Sequence, residues 1–198
     1  MKAPIAASML VALTTFACTT PFSKEDAGND GVTDTGPDTT PPPCDRRDFH
    51  VAQDNAVGVI ADRVYYIADS QIEPPYDTLR IELYYDGGDP PPLEGPGTYE
   101  LAASEAERNY ATCGTCVLIA AGCTGPTETC ETVFFHTGGI LELESNVAIG
   151  EPLRGSLRDV VLIEVTIESG TSESVPVPDG QAWCIDELHF DVPLDPMP

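Results

Sequence analysis

Cysteine is the residue type whose spacing speaks first. Seven occur, at positions 18, 44, 113, 116, 123, 130 and 184. The closest pair lies in Cys113-Gly-Thr-Cys116 and has the spacing of a thioredoxin-like redox dithiol, in which a helix N-terminus lowers the first thiol's pKa. That chemistry needs a strand before the motif and a helix after it. Here Val117-Leu118-Ile119-Ala120-Ala121-Gly122 follows, which reads as a strand, and no βαβ pattern surrounds it. A zinc site built with Cys123 and Cys130 would need two close pairs well apart. The second pair instead has six intervening residues. Structural disulfides are the favoured reading over both.

Other residue types offer less. The three histidines, His50, His136 and His189, each fall in an expected strand and form no local ligand pair. The chain has no G-x-S-x-G elbow, P-loop, G-x-G-x-x-G or H-E-x-x-H. Carboxylate pairs of the kind glycosidases use are available anywhere among 33 acids, which makes them uninformative. Aromatics say more. Tyr65-Tyr66 and Tyr84-Tyr85 each put one ring on either face of a strand. An outward Tyr66 or Tyr84 could join Tyr76, Tyr110 or Trp183 in a sugar-stacking platform. Cross-strand pairing and core filling are the commoner use of such rings.

The amino terminus is an address rather than part of a fold. Met1-Lys2 is followed by uncharged, mostly small or apolar residues from Ala3 to Ala17, with Met9 to Leu13 at their centre. That run is too short for a bilayer-spanning helix, which needs about 20 residues, and reads as a secretory signal. It closes in Thr15-Phe16-Ala17-Cys18, which resembles the lipobox of bacterial lipoproteins: a small residue directly before an invariant Cys. Thr15 stands where that family favours Leu, and Phe16 is bulky for its position. The resemblance implies cleavage before Cys18, lipid on its thiol and new amino group, and a place in the cell envelope as an outer-membrane lipoprotein, periplasmic or surface-exposed.

With Cys18 given to lipid, six cysteines remain, and export makes three disulfides the default. Cys123 and Cys130 flank Thr-Gly-Pro-Thr-Glu-Thr, a turn-rich loop, and are expected to pair across its base. Cys44, Cys113, Cys116 and Cys184 are left open. Joining Cys44 to Cys184 would close the largest loop, which the chain-entropy model rewards most, and would leave Cys113 to pair with Cys116.

Thr19 to Pro43 holds six Thr, five Pro and five acidic residues, with Phe22, Ala27 and Val32 as its apolar content. Such a composition cannot offset the entropy of ordering and is expected to be disordered. Asp26 opens what looks like a calcium loop, but Gly28 and Pro37 fall where ligands are required. The segment reads as an acidic tether. The expected organisation is a signal peptide over 1–17, a lipid-anchored linker over 18–43 and a disulfide-bonded domain over 44–198.

Nine basic against 33 acidic residues give a formal charge of −24, which excludes a nucleic-acid binder, since phosphate contacts need Lys and Arg. From Cys44 onward the apolar period is two. Leu79, Ile81, Leu83 and Tyr85 alternate with Arg80, Glu82 and Tyr84, and the run stops at Asp86-Gly-Gly-Asp89 and three prolines. Further strands are expected at Phe49–Gln53, Val57–Ala61, Arg63–Ala68, Gly97–Leu101, Val117–Ala121, Thr132–His136, Ile140–Glu144, Val160–Ile167 and Leu188–Val192. The Val160 run is apolar on both faces at its start, the mark of a strand between two packed layers. Leu101 to Arg108 has the composition of a short helix.

These readings converge on an all-β domain, an antiparallel two-layer β-sandwich or jelly roll of about nine strands. The expected function is a non-enzymatic binding, adhesion or envelope-structural role. No cofactor, metal or catalytic residue is expected. The membrane is contacted through lipid on Cys18, and a protein or glycan ligand is left unspecified. A carbohydrate-binding module or a small hydrolase on the same sandwich is the alternative, and a thiol–disulfide role the third.

Overall fold

The structure is a computed structural model and describes residues 43–59, 63–84, 95–124 and 129–197. Cys18, the signal-like segment, the tether up to residue 42 with its Asp26 loop, and Tyr85, Asp86 and Asp89 lie outside these residues. Ten strands are present: β1 (Arg46–Arg47), β2 (Gln53–Val59), β3 (Arg63–Asp69), β4 (Tyr76–Tyr84), β5 (Gly97–Glu100), β6 (Thr115–Cys123), β7 (Thr132–Leu143), β8 (Pro152–Ile167), β9 (Ser174–Pro176) and β10 (Ala182–Pro196). The class is all-β, as the sequence pattern implies.

The strands belong to one sheet in the order β1-β10-β2-β3-β4-β6-β7-β8-β9, with β5 on β7. β10 also pairs with β8 along most of its length. The path from β2 through β3, β4, β6, β7, β8 and β10 therefore returns to β2 and closes, which leaves the short β1, β5 and β9, each with one partner strand, at its margins. The closing step is parallel and sets Leu194–Pro196 beside Ala56–Gly58; β1 also runs parallel to β10. The sheet is thus mixed where the sequence suggested antiparallel pairing throughout. β2 and β10 come from opposite ends of the domain, so no hairpin dictates their direction.

Inward faces fill one core. β3 contributes Val64, Tyr66 and Ala68, β4 Leu79, Ile81 and Leu83, β6 Val117 and Ile119, and β10 Trp183, Ile185, Leu188, Phe190, Val192 and Leu194. Phe134 of β7 is fully buried and meets the Trp183 ring edge-on at 5.6 Å. Tyr66 is buried beside Phe190, its phenol donating to Asp54 at 2.9 Å.

Several elements differ from the sequence pattern. Phe49 to Ala52 is not strand; Phe49 packs on Trp183, and β2 begins at Gln53. The runs at Thr132 and Ile140 are one strand, β7, whose register shifts on either side of Gly138. Gly139 there has φ +123°, and a Cβ on it would fall 2.6 Å from the Val160 backbone, so only glycine lets β7 and β8 approach. The helix suggested by Leu101 to Arg108 is a series of turns. Ala102 takes φ +63°, which ends any helical run before it starts.

Three disulfides form: Cys44–Cys184, Cys113–Cys116 and Cys123–Cys130. The first fastens the chain's entry into the domain to β10, beside the parallel β1 ladder.

Candidate outer-face cleft

A closed sheet with a single core should present polar residues outward. The outer face of β6, β7 and β8 does not. β6 turns Cys116 and Leu118 outward, β7 turns Val133 and Phe135, and β8 turns Ile163, Val165 and Ile167. Together with Cys113, Tyr84 and Tyr110 they form a second apolar cluster. The reason is legible locally: β6 and β8 are apolar on both faces, the pattern of strands covered on both sides.

The cover is the segment 101–114, which fills a gap in the ladder. β6 and β7 pair only from Leu118 to Ala121, because β7 bulges after His136 and its second half pairs with β5 instead. At the break His136 replaces backbone. Its ring is 0% exposed, with Nδ1 3.1 Å from the Val117 N and Nε2 2.8 Å from the Glu107 carbonyl oxygen. Only the Nε2–H tautomer satisfies both: Nε2 donates to the carbonyl and Nδ1 accepts from Val117 N–H. Burial pushes the imidazole down to about 4, against the pull of the Glu107 and Val117 carbonyl oxygens, the latter 3.3 Å from Nδ1. The Glu107 carboxylate accepts the N–H groups of Gly114 and Thr115, where β6 begins. Burial raises its pKa, and the two backbone bonds only partly oppose this. The segment is also tied to the start of β9, with Tyr110 N–H donating to Ser174 Oγ and Ser174 N–H to Asn109 Oδ1.

Beside this cover a cleft of about 230 Å³ stays open, lined by Leu118, Val133, Phe135, Ile167, Tyr110 and Arg80, with Thr78, Ala120 and Cys130 completing the wall. One end is polar. Glu82, 1% exposed, accepts from the Tyr84 phenol at 2.7 Å and the Tyr110 phenol at 3.2 Å. Arg80 Nη1 lies 3.6 Å from the same carboxylate, and Arg63 donates to the Tyr84 oxygen at 3.1 Å. Burial raises both phenols, with the neighbouring Glu82 charge and hydrogen bond adding to it; Tyr110 reaches about 12. Tyr110 meets Phe135 edge-on, so cover and floor are in contact.

The aromatic platform suggested by the sequence is only partly assembled. Tyr84 and Tyr110 meet at Glu82, whereas Tyr66 and Trp183 point into the core. The Arg63 guanidinium lies 5.0 Å above the Tyr84 ring, which gives that face a cation in place of open surface for a sugar. The histidines do not meet: His136 is buried, whereas His189 is exposed and faces Glu187 at 3.2 Å, and His50 is exposed. Cys113 and Cys116 sit in the apolar outer cluster, surroundings that oppose a thiolate. Among the described residues no group of three or more His, Cys, Asp or Glu is placed to hold a metal. Arg80, Glu82, Leu118 and Phe135 were not singled out by sequence. Their signal was the Arg-Glu-Tyr alternation of β4 opposite two strands with no polar face. The comparisons complete the description: no family model, no curated protein and no solved structure matches this chain.

Proposed function

We propose that the chain is an exported, lipid-anchored domain with a non-enzymatic binding role, and that its ligand is a small molecule with an apolar body and one polar end. The observation that carries this is the open cleft on the outer face, whose apolar floor is left uncovered beside the segment that covers the rest of the cluster. Leaving such surface in water costs about 25 cal/mol per Å², and an apolar ligand recovers it. The polar end supports binding over turnover, because Glu82 already accepts from two phenols and faces Arg80. The Arg63 cation over Tyr84 gives less support to a carbohydrate module. The cysteine count supports the anchor: six of the seven are in disulfides, and Cys18 is the one left over.

The cleft is tested with 1-anilinonaphthalene-8-sulfonate titrated onto the native chain at neutral pH, beside Ala120→Phe, which fills the floor. Saturable binding weakened at least tenfold by the substitution is expected. Binding that Ala120→Phe leaves unchanged, in a chain with native unfolding behaviour, would place the dye elsewhere and overturn the reading. Mass spectrometry of the mature amino terminus tests the anchor: cleavage before Cys18 with added acyl mass is expected, and an unmodified Cys18 would sink it.

A further inference from the structure

His136 is the one fully buried imidazole among the described residues, and its contacts have nothing to do with lining the cleft. It holds the cover. Nε2 grips the Glu107 carbonyl of segment 101–114, and Nδ1 takes the Val117 N–H that β7 abandons at its bulge. Both nitrogens are engaged in one protonation state. A second proton, on Nδ1, would meet the Val117 N–H donor at 3.1 Å, with the Val117 carbonyl oxygen at 3.3 Å as its one acceptor, and would place a charge on a fully buried ring.

No ionised side chain offsets that charge, and the carbonyls of Glu107 and Val117 oppose burial only in part. β6 carries no ionisable side chain apart from its disulfide cysteines. β8, opposite the ring at Leu162, carries Arg158, which is bonded to Glu142 of β7, Asp159, which is exposed, and Glu164, which accepts from Gln181 N–H. From the cover itself, Arg108 is bonded to the Ala102 carbonyl and Glu105, and Glu107 turns its carboxylate to Gly114 and Thr115. Glu131, at the other end of β7, is exposed.

We propose that the His136–Glu107 contact is an acid-sensitive clasp, in which protonation of His136 frees segment 101–114, and Tyr110 with it, and so opens the wall of the outer-face cleft. The closed sheet survives this step, because its ring of strands does not include the segment, whose one residue in the inward core is Leu101 at its start, bonded to the Gly139 carbonyl. That the opening governs a ligand rests on the binding role proposed above; the clasp itself does not. Glu107 takes up its own proton more readily in the folded chain than in the unfolded one, so its titration tightens the cover and cannot mimic the effect.

Two observables separate cover from sheet. The single tryptophan, Trp183, lies in the inward core and reports the sheet. Hydrogen exchange of the 101–114 amides, corrected for intrinsic pH dependence, reports the cover. Between pH 7 and 3.5 the full chain is expected to lose protection in 101–114 by roughly a hundredfold, while Trp183 emission and protection of β3 and β4 stay unchanged. His136→Gln keeps a neutral donor at every pH and is expected to abolish the acid step. If that variant fails to fold, nitrogen-15 shifts of the wild-type imidazole serve: an Nε2–H tautomer at pH 7, titrating together with the loss of protection. Cover protection that is constant with pH, that vanishes in one step with β3 and β4, or that is lost at the same pH in His136→Gln overturns the clasp. Each experiment is run without ligand, so absence of dye binding at neutral pH counts against the binding role alone. With both intact, bound 1-anilinonaphthalene-8-sulfonate is released across the same acid step.

Discussion

Two buried ionisable groups, His136 of β7 and Glu107 of the segment it holds, pull stability in opposite directions. His136 has a folded value of about 4 against an ordinary 6.5. Its contribution is fully present above 6.5 and is lost as pH falls through 4. The difference is worth about 3 kcal/mol. Glu107 is raised above its ordinary 4.5. Its contribution is present below 4.5 and is lost as pH rises through the folded value. Urea unfolding from pH 3.5 to 7.5 should therefore show a rising acid limb in the wild type that is blunted in His136→Gln. An acid limb of unchanged height in the variant would assign it to other groups. The core offers a simpler test. Phe134→Ala removes a ring that is 0% exposed and packed on Trp183, and should cost about 3–5 kcal/mol in the same measurement. Sequence alone marked His136 as a strand histidine and went no further. Its role depends on a bulge two residues on and on a loop 29 residues away, neither of which periodicity reveals.

At the scale of elements, the disulfides divide the labour by loop length. Cys44–Cys184 spans 140 residues and secures the chain's entry beside the parallel ladder of β1 on β10; Cys113–Cys116 spans three and shapes the turn into β6. Chain entropy assigns about 5 kcal/mol to the first and about 2 to the second. Replacing Cys44 and Cys184 by Ala should lower the urea midpoint markedly more than replacing Cys113 and Cys116. Equal losses would mean that local packing of the short ring in the outer cluster, rather than loop closure, sets its worth. The long inward alternations were readable because period two is a local signal: β3 and β4 stand almost where the pattern puts them. β10 was read only from Leu188 to Val192, since its first half, Ala182 to Ile185, is buried at successive positions and has no alternation. β9 and β1, three and two residues long, carry no pattern at all. The cleft was half legible, since the apolar start of β8 announced a strand covered on both faces, but the turns over Leu101–Arg108 that begin the cover carry the composition of a helix.

For the molecule as a whole, charge is the largest unbalanced quantity. Against −24, the described arginines are drawn into pairs such as Arg154 with Asp191 at 3.0 Å and Arg158 with Glu142 at 2.7 Å, which leaves most acids facing one another across water. Exposed pairs of this kind add about 0–1 kcal/mol each, too little to offset self-repulsion over the whole surface. Screening should therefore stabilise the fold. Between about 10 and 150 mM salt the Debye length falls from roughly 30 to 8 Å, which is shorter than the span of the domain, so the repulsion is largely removed. A gain of about 1 kcal/mol corresponds to a rise in Tm of about 2–4 °C for a domain of this size. Sodium and calcium chloride at matched ionic strength should give equal shifts if the acids act only as a diffuse field. Calcium binds through several oxygens converging at 2.3–2.6 Å, and no such cluster stands among the described residues. The test is thermal unfolding of the mature chain in both salts. Equal shifts would leave the acids as a solvated surface, whereas a calcium-specific rise of many degrees, saturating at micromolar metal, would contradict the diffuse-field account and point to a site built from Asp86, Asp89 or other acids beyond the described residues.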